Sequence, residues 1–258
     1  MHVGFLENCV TYLNVFAAVA LIARLYGERL AGIYRILVVY LVADTLEGVL
    51  TLAFAGKNRD LYFIYAAGQS VKVTVAIFVA MELFRLALIQ QPALARWGKK
   101  AIGCFFGVAA AVAIFYVAAG PVSPIAAFYF VVDRFIAFEG AMDLAVLIIL
   151  ILMSLFLLWF PVRARKNAAL CIAGFVVYSF QRWTGLLLMR IWPHYRAEVD
   201  TAMLTISFIC LAGWALLLRR EGESSIVTTG HRWNPLKAQR LNAQLDAINS
   251  RLSRAESR

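Results

Sequence analysis

The sequence predicts an all-α integral membrane protein: a seven-transmembrane helix bundle with its N-terminus outside, its C-terminus cytoplasmic and a short cytoplasmic C-terminal amphipathic helix. Three observations lead there. The composition is 62% hydrophobic and 16% charged, with mean hydropathy +0.76, whereas soluble domains run at about 45–50% apolar and about 25% charged. Apolar runs recur along residues 4–218, each near the length of about 20 residues that crosses roughly 30 Å of hydrocarbon. The basic residues between those runs fall unequally on the two sides.

The first run, 4–24, has no basic segment before it, is too long for a signal peptide and shows no convincing cleavage site, so it is expected to remain as the first helix. Glu7, Thr11 and Asn14 share one of its faces. The second run, 32–55, places Tyr40, Asp44, Glu47 and Thr51 at i, i+4, i+7 and i+11, a single polar stripe. It ends at the turn Gly56-Lys57-Asn58-Arg59-Asp60. The third run, 61–88, repeats the stripe with Tyr65, Gln69 and Lys72. Glu82 and Arg85 lie near its inner end, where an i, i+3 pair with a snorkelling arginine competes with an inner gate.

Gln91-Pro92 breaks the chain before the fourth run, 101–119, which is uncharged and spaces Gly103, Gly107 and Ala111 four residues apart. Small residues so placed permit close helix contact, expected within the chain rather than between copies. Gly120-Pro121 and Pro124 open residues 122–133, too short to span, which either lie at the interface or extend the fifth helix outward. The fifth run, 134–160, carries Glu139 and Asp143. After Pro161 the sixth, 168–190, carries Tyr178 and Arg182 on one face with Gln181 beside them. Pro193 precedes the seventh, 199–218, which offers Asp200 and Ser207.

Residues 221–233 read as a polar linker and 234–258 as a cytoplasmic amphipathic or short coiled-coil helix, opened by Asn234-Pro235. Ala238, Leu241, Leu245, Ile248 and Leu252 repeat at 3-4-3-4 spacing. That seam is a surface helix or a contact for a cytoplasmic protein partner or a homodimer through Leu241, Leu245, Ile248 and Leu252. Counting Lys and Arg in the loops gives eleven on one side and five on the other, which orients the C-terminus inward by the positive-inside rule. The net charge of +10 is thereby assigned to topology and anionic headgroups rather than to nucleic acid.

A charge at the bilayer centre costs about 2.5–3.5 kcal/mol, so it persists where it is paired or lines a wet cavity. Asp44, Glu47, Gln69, Lys72, Glu139, Asp143, Gln181 and Arg182 are therefore the candidate ligand-binding residues. Paired struts such as Lys72 with Asp44 or Glu47, and Arg182 with Glu139 or Asp143, would explain each pair alone. They do not explain the whole set, because Glu7, Asp44, Glu47, Glu139, Asp143 and Asp200 face only Lys72, Arg134 and Arg182. Unpaired acids at that depth must be wet, protonated or occupied by a cation.

His2, His194 and His231 lie outside the span interiors, against a bis-histidine haem or a histidine-rich zinc hydrolase. No lysine in 199–218 allows a retinal Schiff base, and no nucleophile elbow, P-loop, His-Glu-x-x-His or Cys-x-x-Cys occurs. Cys9, Cys104, Cys171 and Cys210 have no motif spacing and read as small apolar residues. No cofactor, metal or catalytic residue is assigned. The expectation is a multi-pass protein of a bacterial inner membrane, most simply a sensory or receptor-like module binding a small polar or cationic ligand and relaying to a cytoplasmic partner. A proton, cation or small-solute transporter or channel, and an accessory subunit of a larger membrane complex, are the alternatives.

Overall fold

The computed structural model describes residues 2–54, 58–89, 91–119, 127–159 and 163–228, together with positions 240, 243, 244, 247, 248 and 250. Seven long helices stand where seven apolar runs were expected: α1 (His2–Gly27), α2 (Arg35–Ala53), α3 (Asn58–Ala87), α4 (Pro92–Ala119), α5 (Ala127–Trp159), α6 (Lys166–Ile191) and α7 (Arg196–Leu217). A one-turn helix α8 (Arg220–Ser224) and two short strands, β1 (Arg163–Arg165) and β2 (Ile226–Thr228), complete the described elements with a 3-10 turn at Pro193–Tyr195.

Among the described residues, five helices are long and apolar enough to cross a membrane: the Cys9–Gly27 part of α1, Arg35–Ala53, the Phe138–Trp159 part of α5, Lys166–Ile191 and Arg196–Leu217. The chain is thus an all-α membrane protein. Helices α3 and α4 fall outside that set. Gln69, Ser70, Lys72, Glu82 and Arg85 dilute the apolar content of α3, and Arg96, Lys99 and Lys100 occupy the first third of α4. Exposed large apolar side chains such as Phe16, Val42, Phe63, Phe115, Leu158, Phe180, Ile209 and Leu216 are spread over the helices. An apolar exterior of that extent is suited to lipid tails.

Packing closes six helices into a ring. Helix α1 packs on α2 and α7, α2 on α3, α3 on α5 and α6, α5 on α6, and α6 on α7, while α4 lies outside against α3 and α5. Within the ring, Leu21, Leu25, Leu37, Leu41, Val79, Leu83 and Leu150 are fully buried. Close approach of α6 and α7 depends on two glycines: a Cβ on Gly174 would stand 2.2 Å from Trp214 Nε1, and one on Gly185 1.7 Å from Met203 Sδ.

One boundary and one contact differ from expectation, and one open alternative is decided. Helix α4 starts at Pro92 rather than near 101, because Arg96–Lys100 continues the helix beyond its apolar part and a first-turn proline is tolerated there. Helix α5 starts at Ala127, so the short apolar stretch before residue 134 extends the fifth helix. The Gly103-Gly107-Ala111 stripe is not buried against a neighbour. Gly107 has nothing within 4 Å of a built Cβ, Gly103 meets only Met81 Cε at 4.0 Å, and Ala111 is exposed. The expected close contact within the chain fails because α4 sits at the bundle's edge with that face turned outward.

The ends of α1, α3 and α7 and the starts of α2, α4 and α6 share one end of the bundle, called here the basic end. Residues 221–228, expected as part of a polar linker, instead fold back against it as α8 and β2. Strand β2 pairs antiparallel with β1, Arg163 opposite Thr228. Arg24 Nε donates to Leu218 O at 3.2 Å, Asn167 Nδ2 to Arg219 O at 2.8 Å, and Arg220 N to Glu28 Oε2 at 3.0 Å. Tyr34 OH donates to Glu223 Oε2 at 3.0 Å, and Arg165 pairs with the other oxygen of Glu223. Burial, with Cys171 and Glu223 nearby, pushes the Tyr34 hydroxyl far above the usual phenol range, so it stays a donor. Helix α2 is capped at this end by Glu82 of α3, whose carboxylate accepts Ile36 N at 3.2 Å and Leu37 N at 3.3 Å and complements the positive helix terminus.

Candidate functional site

The polar stripes of α2, α3, α5 and α6 turn inward and meet. On α2 the spacing of three between Asp44 and Glu47 lets both carboxylates reach one neighbour, and Lys72 of α3 stands 3.0 Å from Asp44 Oδ1 and 3.0 Å from Glu47 Oε2. One turn earlier on α3, Gln69 donates its Nε2 to Glu47 Oε1 at 3.0 Å. The Gln69 carbonyl oxygen accepts from Arg182 Nη2 of α6. The same guanidinium reaches both acids of α5, pairing with Glu139 Oε1 and donating Nε to Asp143 Oδ2 at 2.6 Å. Tyr65 of α3 closes the far end by donating its hydroxyl to Glu139 Oε2 at 2.9 Å.

One ladder of hydrogen bonds and ion pairs therefore runs from Asp44 through Lys72, Glu47, Gln69 and Arg182 to Glu139, Asp143 and Tyr65. Gln69 is its middle rung, since it alone bonds both a partner of Lys72 and the guanidinium. Seven of the eight candidate ligand residues belong to it. Gln181 does not: it faces α7 and donates Nε2 to Ser207 Oγ at 2.8 Å. Glu82 and Arg85 are elsewhere, at the basic end, where Glu82 caps α2 and Arg85 is exposed. Of the tail seam, Ile248 is helical and exposed, whereas Leu241, Leu245 and Leu252 lie outside the described residues. Tyr65 belongs to the ladder although only its position four residues before Gln69 pointed there.

Two features define what the ladder can do. The first is charge. Four carboxylates share two cations, and Glu139 is 1% exposed, Asp143 5% and Lys72 7%. In low dielectric such an imbalance has to be met by protons, a cation or a cationic ligand. The second is space. A cavity of about 230 Å³ lies between α3, α4 and α5, with Gln69 and Glu139 at its back and Val73, Ile77, Ala110, Phe138 and Met142 among its walls. Its Ser70 and Thr74 hydroxyls are bonded to carbonyls of their own helix, leaving the ladder to supply the polarity.

Toward the basic end the interior changes character. Tyr40, Phe175, Tyr178 and Trp214 pack with ring centroids 5.5–6.3 Å apart. Beyond them Leu37, Leu41, Leu83 and Leu150 are fully buried in the apolar core. At its rise of about 1.5 Å per residue, Glu47 lies about 9 Å from the end of α2 at Ala53 and Arg182 about 14 Å from the end of α6 at Ile191. The ladder thus sits nearer the opposite end than the basic one. Among the described residues, no group of three or more His, Cys, Asp and Glu has the arrangement of a metal site.

Fold and ladder together define a class: an α-helical membrane bundle organised around a buried, acid-rich polar network. Comparison with protein-family models, curated proteins and solved structures finds no match to this chain.

Proposed function

We propose that the chain crosses the membrane seven times, N-terminus outside and C-terminus cytoplasmic, and acts as a receptor-like module. In this reading a small cation with an apolar body occupies the cavity between α3, α4 and α5, facing Glu139, and supplies charge that the ladder lacks. The observation that carries it is the junction of a cavity with a ladder holding four acids and two bases. The apolar cavity walls favour an alkylammonium over a hydrated metal ion, because a buried charge is tolerated where it is paired while the alkyl body gains from leaving water. The tail beyond β2 is the relay. Helix α6 carries a ladder residue at one level and a contact holding residues 218–228 at the other, and α2 carries ladder residues while Tyr34, just before it, makes a second such contact.

The test uses the full chain in lipid nanodiscs and a series of primary alkylammonium ions from methyl to hexyl. Thermal stabilisation should rise with chain length until the cavity is filled, and should vanish in Glu139→Gln. Equal stabilisation of wild type and variant, or none at any chain length, refutes the ligand assignment. Removal of residues 235–258 should leave ammonium binding unchanged while abolishing recruitment of a cytoplasmic partner.

The excess of carboxylates also favours a second reading, proton or cation transport. The buried apolar core between the ladder and the basic end weighs against it. Proteoliposome flux abolished by Asp44→Asn with Glu47→Gln would reverse that preference.

A further inference from the structure

The basic end carries a feature that ligand recognition at the ladder leaves unused. A groove of about 790 Å³ opens there between the α1–α2 connection, β1 and α8. Arg29, Arg219 and Arg220 line it, all three are exposed, and none makes an ion pair among the described residues. Of the lining carboxylates, Glu223 is paired with Arg165, a fourth arginine of the groove, and accepts from Tyr34, while Glu28 accepts the backbone N–H of Arg220 and keeps its charge. Glu221, also exposed, is the remaining acid of the groove. Arg29 has φ 57°, the one positive value among the described non-glycine residues. That left-handed residue closes α1 in a Schellman cap, with Leu30 N donating to Leu25 O at 2.8 Å and Arg29 N to Tyr26 O at 3.0 Å, which fixes the backbone from which the Arg29 side chain leaves.

The surrounding charge has the same sign. Arg24, Arg35, Arg85, Lys99, Lys100 and Lys166 decorate this end, so an anion approaching the groove meets a positive field. The planar fork of a guanidinium matches the spacing of two phosphate oxygens and binds them in bidentate fashion. We infer that this groove binds a phosphate oxyanion through Arg29, Arg219 and Arg220. The oxyanion is either the phosphodiester headgroup of an anionic lipid, at the level of a charged leaflet, or a free phosphate. Bound there, it ties the α1–α2 connection to α8 and reinforces the folded-back segment that leads into the tail.

The experiment compares the full chain in phosphatidylcholine nanodiscs with added inorganic phosphate, and in nanodiscs containing phosphatidylglycerol. Stabilisation by phosphate identifies the free anion, and stabilisation by phosphatidylglycerol alone identifies the headgroup. In either arm the apparent affinity should fall about tenfold in R219Q/R220Q and stay unchanged in K99Q/K100Q, which alters the same end outside the groove. Should the double arginine variant not fold, R29K decides, since it keeps the charge but removes the bidentate fork; a weaker affinity upholds the site. Equal losses in the arginine and lysine variants, no stabilisation in either arm, or an R29K protein that binds like wild type overturns it. Ammonium binding at the ladder is measured in phosphatidylcholine nanodiscs without phosphate, where no oxyanion loads the groove, and should be untouched by R219Q/R220Q, so failure of one site is distinguishable from failure of the other.

Discussion

Removing Arg182 is the sharpest perturbation of the ladder. Its guanidinium donates Nε to Asp143 at 2.6 Å and Nη2 to Gln69 and Glu139, and its side chain is 12% exposed. Hydrogen bonds between helices inside membranes average only about 0.6 kcal/mol each, so three of them contribute about 2 kcal/mol. The larger effect is electrostatic. Arg182→Met strands Glu139 and Asp143 at 1% and 5% exposure, and breaking a buried pair from one side costs about 3–5 kcal/mol. Since the charge effect exceeds the hydrogen bonds alone, about 3–5 kcal/mol is expected, a fall in midpoint on the order of 10 °C for a chain of this size. The check is thermal or denaturant unfolding in nanodiscs, with R182M compared against R182M/E139Q/D143N. Removing both sides of a buried interaction is far milder than removing one, so the triple variant should regain most of the loss. A single variant within about 1 kcal/mol of wild type, or a triple variant worse than the single, refutes the ladder as an electrostatic unit.

Gln69→Leu should disconnect the ladder's halves: the coupling between Lys72→Met and Arg182→Met, expected at about 0.5–3 kcal/mol from a double-mutant cycle, should collapse in the Q69L background. Gly174→Ala places a methyl 2.2 Å from Trp214 Nε1, and overpacking should lower stability by about 1–3 kcal/mol in an unfolding titration. Glu82→Ala uncaps α2 and should cost about 0.5–2 kcal/mol, with amide exchange of Ile36 and Leu37 accelerating first. Tyr34 has a phenol raised by burial, so its contribution is complete below the ordinary phenol value of about 10 and declines as pH rises past it. Unfolding free energy of wild type should therefore fall more steeply above about pH 10 than that of Tyr34→Phe; parallel profiles would show the hydroxyl is not held.

The helices and the ladder were legible because both follow from local rules. A residue stripe at i, i+4 and i+7 stays on one face whatever the partner, so Asp44 with Glu47, and Gln69 with Lys72, could be assigned to shared faces before any neighbour was known. Two pairings were legible as well, α2 with α3 through Lys72 and α5 with α6 through Arg182, but their join through Gln69 was not. Gln181 was grouped with Arg182, yet one position around the helix turns it from α5 toward Ser207 of α7. Glu82 has Arg85 at the right local spacing, but two unsatisfied backbone N–H groups at the start of α2 compete for its carboxylate. The contacts at the basic end leave no local trace: Tyr34 and Glu223 are 189 residues apart. Composition alone made residues 221–228 look like part of a linker, since a short polar segment finds its hydrogen bonds only once the bundle supplies β1, Asn167 and Glu28. The small-residue stripe of α4 misled for the converse reason, because spacing permits a close contact without providing the partner.

The ladder distributes charge by helix, and that division gives the receptor reading a mechanical form. Helices α2 and α5 contribute only acids, Asp44 and Glu47 on one and Glu139 and Asp143 on the other, while α3 and α6 contribute the bases Lys72 and Arg182. Neutralising an acid of α5 weakens its hold on α6 without touching the α2–α3 pair, apart from what Gln69 transmits. Helix α6 is also the element whose first residues, Lys166 and Asn167, grip Ser225 and Arg219 at the basic end, about 22 Å from Arg182 along a helix that moves as one rod. In the receptor reading, a cation beside Glu139 would act on a helix that also helps to hold the start of the tail, together with Arg24, Glu28 and Tyr34. Coupling of this kind is reciprocal: cutting the grip with Asn167→Ala should change ammonium affinity at the ladder by the same factor that ammonium changes protection of residues 218–228 from amide exchange. Unequal factors would mean that the two ends are joined by proximity in sequence and not by a shared equilibrium.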